Sequence, residues 1–215
     1  MDRVAFEDVL AVAKSQIGYA EAPSNSNRTK YGQWFGLNGQ PWCMMFIMWI
    51  FNEAGGYEML PIHTASCGSL MQAAQQAGSW VTEDYQPGDV VIFDFPNTKY
   101  KTDHCGFVWQ LGDNSVLTIE GNTSPECDEN GGEVMARVRH NNVILGAWRP
   151  DWKEVKAVSV NNNTPDDYAR EAVDWALKNG VLQGDKNGNL NLHQPCSRQH
   201  VLVWLWRCMK LIGKA

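Results

Sequence analysis

Cysteine and histidine can together supply a nucleophile and a base, and this chain has six of the first and five of the second. Cys43 leads the candidates because Trp42-Cys43 opens the most apolar run of the sequence, which continues through Phe51. A thiol at a helix N-terminus meets unpaired N–H groups and the positive end of the helix dipole. Both favour the thiolate, which is the nucleophilic form. A core cysteine on an apolar helix fits the same position. His104 stands at the head of a strand pattern, and a thiol nucleophile needs an imidazole within reach to take its proton. His63, His140, His193 and His200 fall in loops or in the second region of the chain. Glu120 ends the next strand pattern, and a hairpin turning at Gly112-Asp113-Asn114 brings His104 beside Glu120 or Asn122. A carboxylate there orients the ring and stabilises its charged form; a solvated acid at a strand end is the plainer reading.

The elements that must position these residues are legible as periods. Phe6, Val9, Leu10, Ala13 and Ile17 share a helical face, and Gly18 ends that helix. Residues 19–41, rich in Gly, Asn, Ser and Gln, read as one long loop. A second helix runs from Pro41-Trp42-Cys43 to Ala54, apolar nearly all round and therefore central and buried. A third spans about Ser66 to Ala77. The period then changes to two: Val90 to Phe93, His104 to Leu111, Ser115 to Glu120, Val134 to Arg139 and Val143 to Trp148 read as strands. Helices followed by a strand meander predict an α+β fold with an antiparallel sheet and buried N-terminal helices.

Composition excludes several classes. The net charge is −6 over 215 residues and the pI is about 5.3, so nucleic acid is not an expected partner. The longest apolar run is too short to span a bilayer. Met1-Asp2-Arg3-Val4 lacks a basic start followed by an apolar stretch, so a secretory signal is not expected. Cys43, Cys67, Cys105, Cys127, Cys196 and Cys208 form no C-x-x-C pair, which argues against a zinc ribbon or a disulfide scaffold. The thiols read as small apolar residues in a reducing compartment.

Trp42-Cys43, Pro87-Gly88-Asp89-Val90-Val91-Ile92-Phe93, His104-x-Gly106-Phe107-Val108 and Glu120-Gly121-Asn122 resemble the CHAP domain, a papain-like family with NlpC/P60-type relatives. The resemblance covers about residues 5–150. It implies cleavage of peptidoglycan, either between muramic acid and L-Ala or within the peptide stem or bridge. It also implies roles: Cys43 as nucleophile, His104 as base, Glu120 as orienting acid and Asn122 as a further polar partner. The Cys43 N–H and Gln40 are the oxyanion candidates. Met44 and Cys105 depart from the family pattern and read as packing changes. Residues 27–42 hold no Asp or Glu, so no calcium is expected there; no metal and no cofactor are expected.

Thr164-Pro165-Asp166-Asp167 signals a helix start after a linker at 153–164. Residues 168–207 resemble a single S-layer homology repeat, which implies anchoring to a secondary wall polymer; a plain helical hairpin is the alternative. Asp185, Asn187 and Asn189 read as a turn, since no Glu closes a calcium loop. The expected organisation is a catalytic domain at 1–152 and a small helical module at 165–215. A unit that small has a marginal core and is expected to pack on the first domain or on copies of itself, as a homo-oligomer. The whole reads as a phage or prophage endolysin, made in the host cytoplasm and acting on the wall after release. The rival readings are a catalytically dead wall-binding protein and a cytosolic cysteine amidase or acyltransferase.

Overall fold

The alternating segment after Asp89 becomes part of a six-stranded, wholly antiparallel sheet in the computed structural model, which describes residues 3–96, 98, 101–153, 163–185, 188–192 and 196–213. The strands are β1 (Trp80–Val81), β2 (Val90–Phe93), β3 (His104–Gly112), β4 (Ser115–Thr123), β5 (Glu133–His140) and β6 (Ile144–Trp148), in the order β1-β6-β2-β3-β4-β5. Helices α1 (Phe6–Ser15), α2 (Lys30–Phe35), α3 (Cys43–Glu53) and α4 (Cys67–Gln76) precede the sheet, and α5 (Arg170–Lys178) and α6 (Arg198–Leu211) follow it. This is the α+β class expected from the periods. The chain divides into two compact units, Met1–Glu154 and Val155–Ala215.

In the first unit α3 is the central element. Eight of its residues are buried, because side chains at nearly every angle around it are apolar. Burial of each large apolar side chain there stabilises the fold by roughly 1.5–3 kcal/mol. Phe51 meets Phe107 of β3 at 6.1 Å and Trp148 of β6 at 5.3 Å, which seats the helix on the sheet. The pleat sends Val90, Ile92, Cys105 and Phe107 to the helix side. Val91, Phe93 and Val108 go to the opposite face, where Tyr85, Phe95, Val116 and Ala147 complete a second core. Both faces of β2 are therefore covered, which explains its unbroken Val-Val-Ile-Phe.

Residues 19–41 are not one loop. They contain α2, capped by Thr29, whose Oγ1 accepts the Gly32 N–H at 3.0 Å, and ended by Gly36 at φ +87°. A helix this short draws its stability from tertiary packing: Tyr31 is buried against Trp42 and Phe46, at 5.3 Å from each ring. Strand β1 was absent from the sequence reading, since two residues show no period; Trp80 finds its place only by pairing with Trp148.

In the second unit the helix expected from Thr164-Pro165 begins later. A 3₁₀ turn, Asp167–Ala169, precedes α5. Tyr168 in that turn is 90% exposed, so no packing rewards its extension into α-helix. Ser197 caps α6 by accepting the His200 N–H at 3.2 Å. Arg207 ties α6 to the segment after α5 through the Val181 carbonyl at 2.9 Å and Gln183 Oε1 at 3.1 Å. Asp185 Oδ1 accepts the Asn189 N–H at 3.0 Å and closes a turn. Most of the expected linker, and Asn187, His193 and Pro195, lie outside the described residues.

Candidate active site

Cys43 is the first residue of α3, and its N-cap, Trp42, offers no side-chain hydrogen bond to the helix. The sulfur is nearly buried, with 6% of the residue exposed. Two further thiols crowd it: the sulfurs of Cys43, Cys67 and Cys105 lie within 4.8 Å of one another, and Cys43 and Cys67 are 3.9 Å apart. Cys67 opens α4 as Cys43 opens α3, so two helix N-termini converge on the pair. The thiols of Cys105 and Cys67 donate toward Cys43 and, with His104, hold its pKa well below the usual thiol range against the opposing effect of burial. Burial and the charge on Cys43 keep Cys105 protonated. Cys67 is likewise held protonated, although its contact with Cys105 works the other way.

His104 begins β3 and is buried, with its ring stacked 6.0 Å from Phe93 and tilted against Phe95 at 6.2 Å. Its Nε2 donates to Glu120 Oε2 at 3.2 Å, while Nδ1 is buried and makes no hydrogen bond. That tautomer leaves the Nδ1 lone pair for the thiol proton. Burial alone would lower the ring's pKa; the attraction of Cys43 and then of Glu120 outweighs it and raises the value to about 9. The Cys43 thiolate is thus near enough to favour a proton on the ring. Hydrogen bonds between catalytic groups are often long before substrate arrives.

Glu120, on β4, is buried as a carboxylate. Burial pushes its pKa up, but Arg139 and His104 overcome this and hold it at about 2. Arg139 of β5 is the main counter-charge: Nε meets Glu120 Oε1 at 2.8 Å and Nη2 meets Oε2 at 2.6 Å. Thr118 adds a hydrogen bond to Oε1 at 2.5 Å. Arg139 Nη1 also binds Asp128 Oδ1 at 2.6 Å, so a polar chain runs from Asp128 through Arg139 and Glu120 to His104.

Of the residues singled out in the sequence, Cys43, His104 and Glu120 are brought together. Asn122 is buried at φ +62°, but its amide serves a neighbouring loop: it donates to Asn130 Oδ1 at 2.9 Å and accepts the Gly132 N–H at 3.2 Å. Gln40 is exposed in the turn before α3. Cys105 is more than a packing change, since it stands against the Cys43 sulfur. The sequence reading missed Arg139, Thr118, Asp128 and the convergence of Cys67. Arg137-Val138-Arg139, two arginines on one face of a strand beside Thr118-x-Glu120, was the available signal. That Cys67 directly follows a helix-capping Ser66 was the other.

Residues 35–122 match the CHAP domain family. That stretch contains Cys43, His104, Glu120 and Asn122. No curated protein sequence matches the chain. Among solved structures, the chain is similar to the wild-type endolysin LysIME-EF1, at 14% identity over 87% of this chain and 89% of that one, with a TM-score of 0.46. It is also similar to Ly7917, at 12% identity over 68% of this chain and 63% of that one, with a TM-score of 0.42. The family match lies within the first unit, and the S-layer homology resemblance of residues 168–207 gains no support from these comparisons.

Proposed function

We propose that this protein is a peptidoglycan hydrolase, a cysteine amidase or peptidase, in which Cys43 attacks an amide carbonyl of the bacterial wall. The observation that carries this reading is the buried His104 ring, bonded through Nε2 to an ionised Glu120 and close enough to Cys43 to be charged by it, within a stretch matching the CHAP domain. The Cys43 thiolate adds to the carbonyl carbon. The resulting oxyanion is met by the Cys43 N–H at the start of α3, with Gln40 as a second candidate donor. His104 then gives its Nδ1 proton to the leaving amine, and the acyl group stays on sulfur as a thioester. Water, deprotonated by the same nitrogen, attacks the thioester and frees the acid and the thiol. Glu120 keeps the ring oriented and stabilises its charged form.

The decisive experiment follows the turbidity of Gram-positive cell walls. Wild-type protein should clear them and Cys43→Ala should not; equal clearing by both would refute the reading. Mass spectrometry of the released fragments then separates the two bond classes. A new amine on L-Ala identifies an amidase, and a new terminus inside the stem or bridge identifies an endopeptidase. Action as an endolysin, with synthesis in a host cytoplasm, belongs to the same proposal. No described helix is long and apolar enough to cross a membrane. Retention on wall fragments by residues 165–215, and self-association through them, are further parts of the proposal. Loss of sedimentation with walls on deleting those residues, and a scattering mass above that of one chain, would support them.

A further inference from the structure

Three cysteines that no motif spacing connects meet in one buried cluster, each on a different element: Cys43 on α3, Cys67 on α4 and Cys105 on β3. In a tetrahedral site with metal–sulfur bonds of ~2.3 Å, neighbouring sulfurs stand about 3.8 Å apart. The Cys43–Cys67 separation of 3.9 Å already has that length, and all three sulfurs lie within 4.8 Å of one another. A contraction of about 1 Å or less on each remaining edge completes the triangle. The three sulfurs supply three ligands, and the fourth position is left to a small exogenous donor such as water.

We infer that Cys43, Cys67 and Cys105 bind one soft divalent cation such as Zn(II), with water or an added thiol in the fourth position, and that the bound ion switches hydrolysis off. The binding stands on the sulfur geometry alone; the switch rests on the function proposed above. Cys43 becomes a ligand in place of a nucleophile. With its sulfur shared with the ion, Cys43 cannot attack a carbonyl, so the ion inhibits the proposed reaction. The thiol protons are released as it binds, and a chelator restores the free thiols.

The test uses the full-length, reduced protein with Co(II) as a spectroscopic probe. A thiolate-to-cobalt charge-transfer band should saturate at one equivalent and vanish when Zn(II) is added. The apparent affinity should fall tenfold or more in Cys67→Ser and in Cys105→Ser, with circular dichroism reporting whether each variant folds. A second readout needs no variant. Zn(II) should block alkylation of Cys43 by iodoacetamide while Cys127, Cys196 and Cys208 still label, and a chelator should reverse the block. Absence of the band, a band equally strong in both folded variants, or unchanged alkylation of Cys43 would overturn the site. Wall clearing is measured on the same samples before metal is added. Failure to clear at that stage removes the hydrolase reading and the switch together, while the cobalt band still decides the site. Clearing that persists with zinc bound overturns the switch.

Discussion

His104 is pulled in opposite directions, and the balance sets the pH behaviour of the protein. Burial favours the neutral ring, whereas Cys43 and Glu120 favour the charged one and raise its pKa to about 9. The usual value is about 6.5. A raised folded-state pKa contributes stability that is fully present below the usual value and is lost as pH rises through the folded one. Activity should therefore fall along an alkaline limb near pH 9, as the ring loses the proton meant for the leaving amine. Replacing Glu120 by Gln removes one of the attractions, so the limb should move to lower pH in a pH–rate profile; an unmoved limb would exclude Glu120 as the orienting acid. Glu120 has the opposite sign. Its pKa of about 2 lies below the usual ~4.3, so its contribution is present above that value and lost as pH falls toward 2. Arg139 is what permits a carboxylate at that depth. Arg139→Met leaves the carboxylate facing a cavity without its main counter-charge and should cost about 3–5 kcal/mol, read by urea denaturation. The chemistry of Cys43, His104 and Glu120 was visible residue by residue. Arg139 was not, because its tie to Glu120 crosses between two strands whose pairing depends on the whole sheet.

At the scale of elements, the site depends on how closely α3 approaches β4. Gly121 makes that approach possible: a Cβ added there would stand 2.6 Å from the Phe46 Cβ and 2.8 Å from the Trp42 ring. Neither neighbour can yield, since both are buried and Trp42 is stacked on Tyr31. Gly121→Ala should therefore destabilise the fold by roughly 1–3 kcal/mol through overpacking, measurable as a lowered midpoint in denaturant. A stability equal to wild type would mean that α3 does not bear on β4 as described. The helices and longer strands were legible because their periods match their faces. Strand β1 and helix α2 were not, because a two-residue strand and a six-residue helix have too few positions to show a period.

At the scale of the whole chain, the two units differ in how much apolar surface they bury. The first has a core on each face of its sheet. In the second, among the described residues, Val181 is the one buried hydrophobic, while Trp175, Leu202, Leu205, Trp206 and Ile212 are exposed. Calorimetry should show two transitions, with the second unit melting at the lower temperature, and a chain ending at residue 153 should keep the upper one. A single transition lost on truncation would contradict this. The sequence by itself determined the order of elements, the sheet's antiparallel character and the three residues of the proposed chemistry, because periodicity and caps are local and a nucleophile at a helix start is a local signal. Only the tertiary structure decided that Arg139 keeps Glu120 ionised, that the Asn122 amide holds a loop, and that Cys67 and Cys105 stand against Cys43. Those are contacts between residues far apart in the chain, and their existence depends on strand register and helix docking, which no short stretch of sequence encodes.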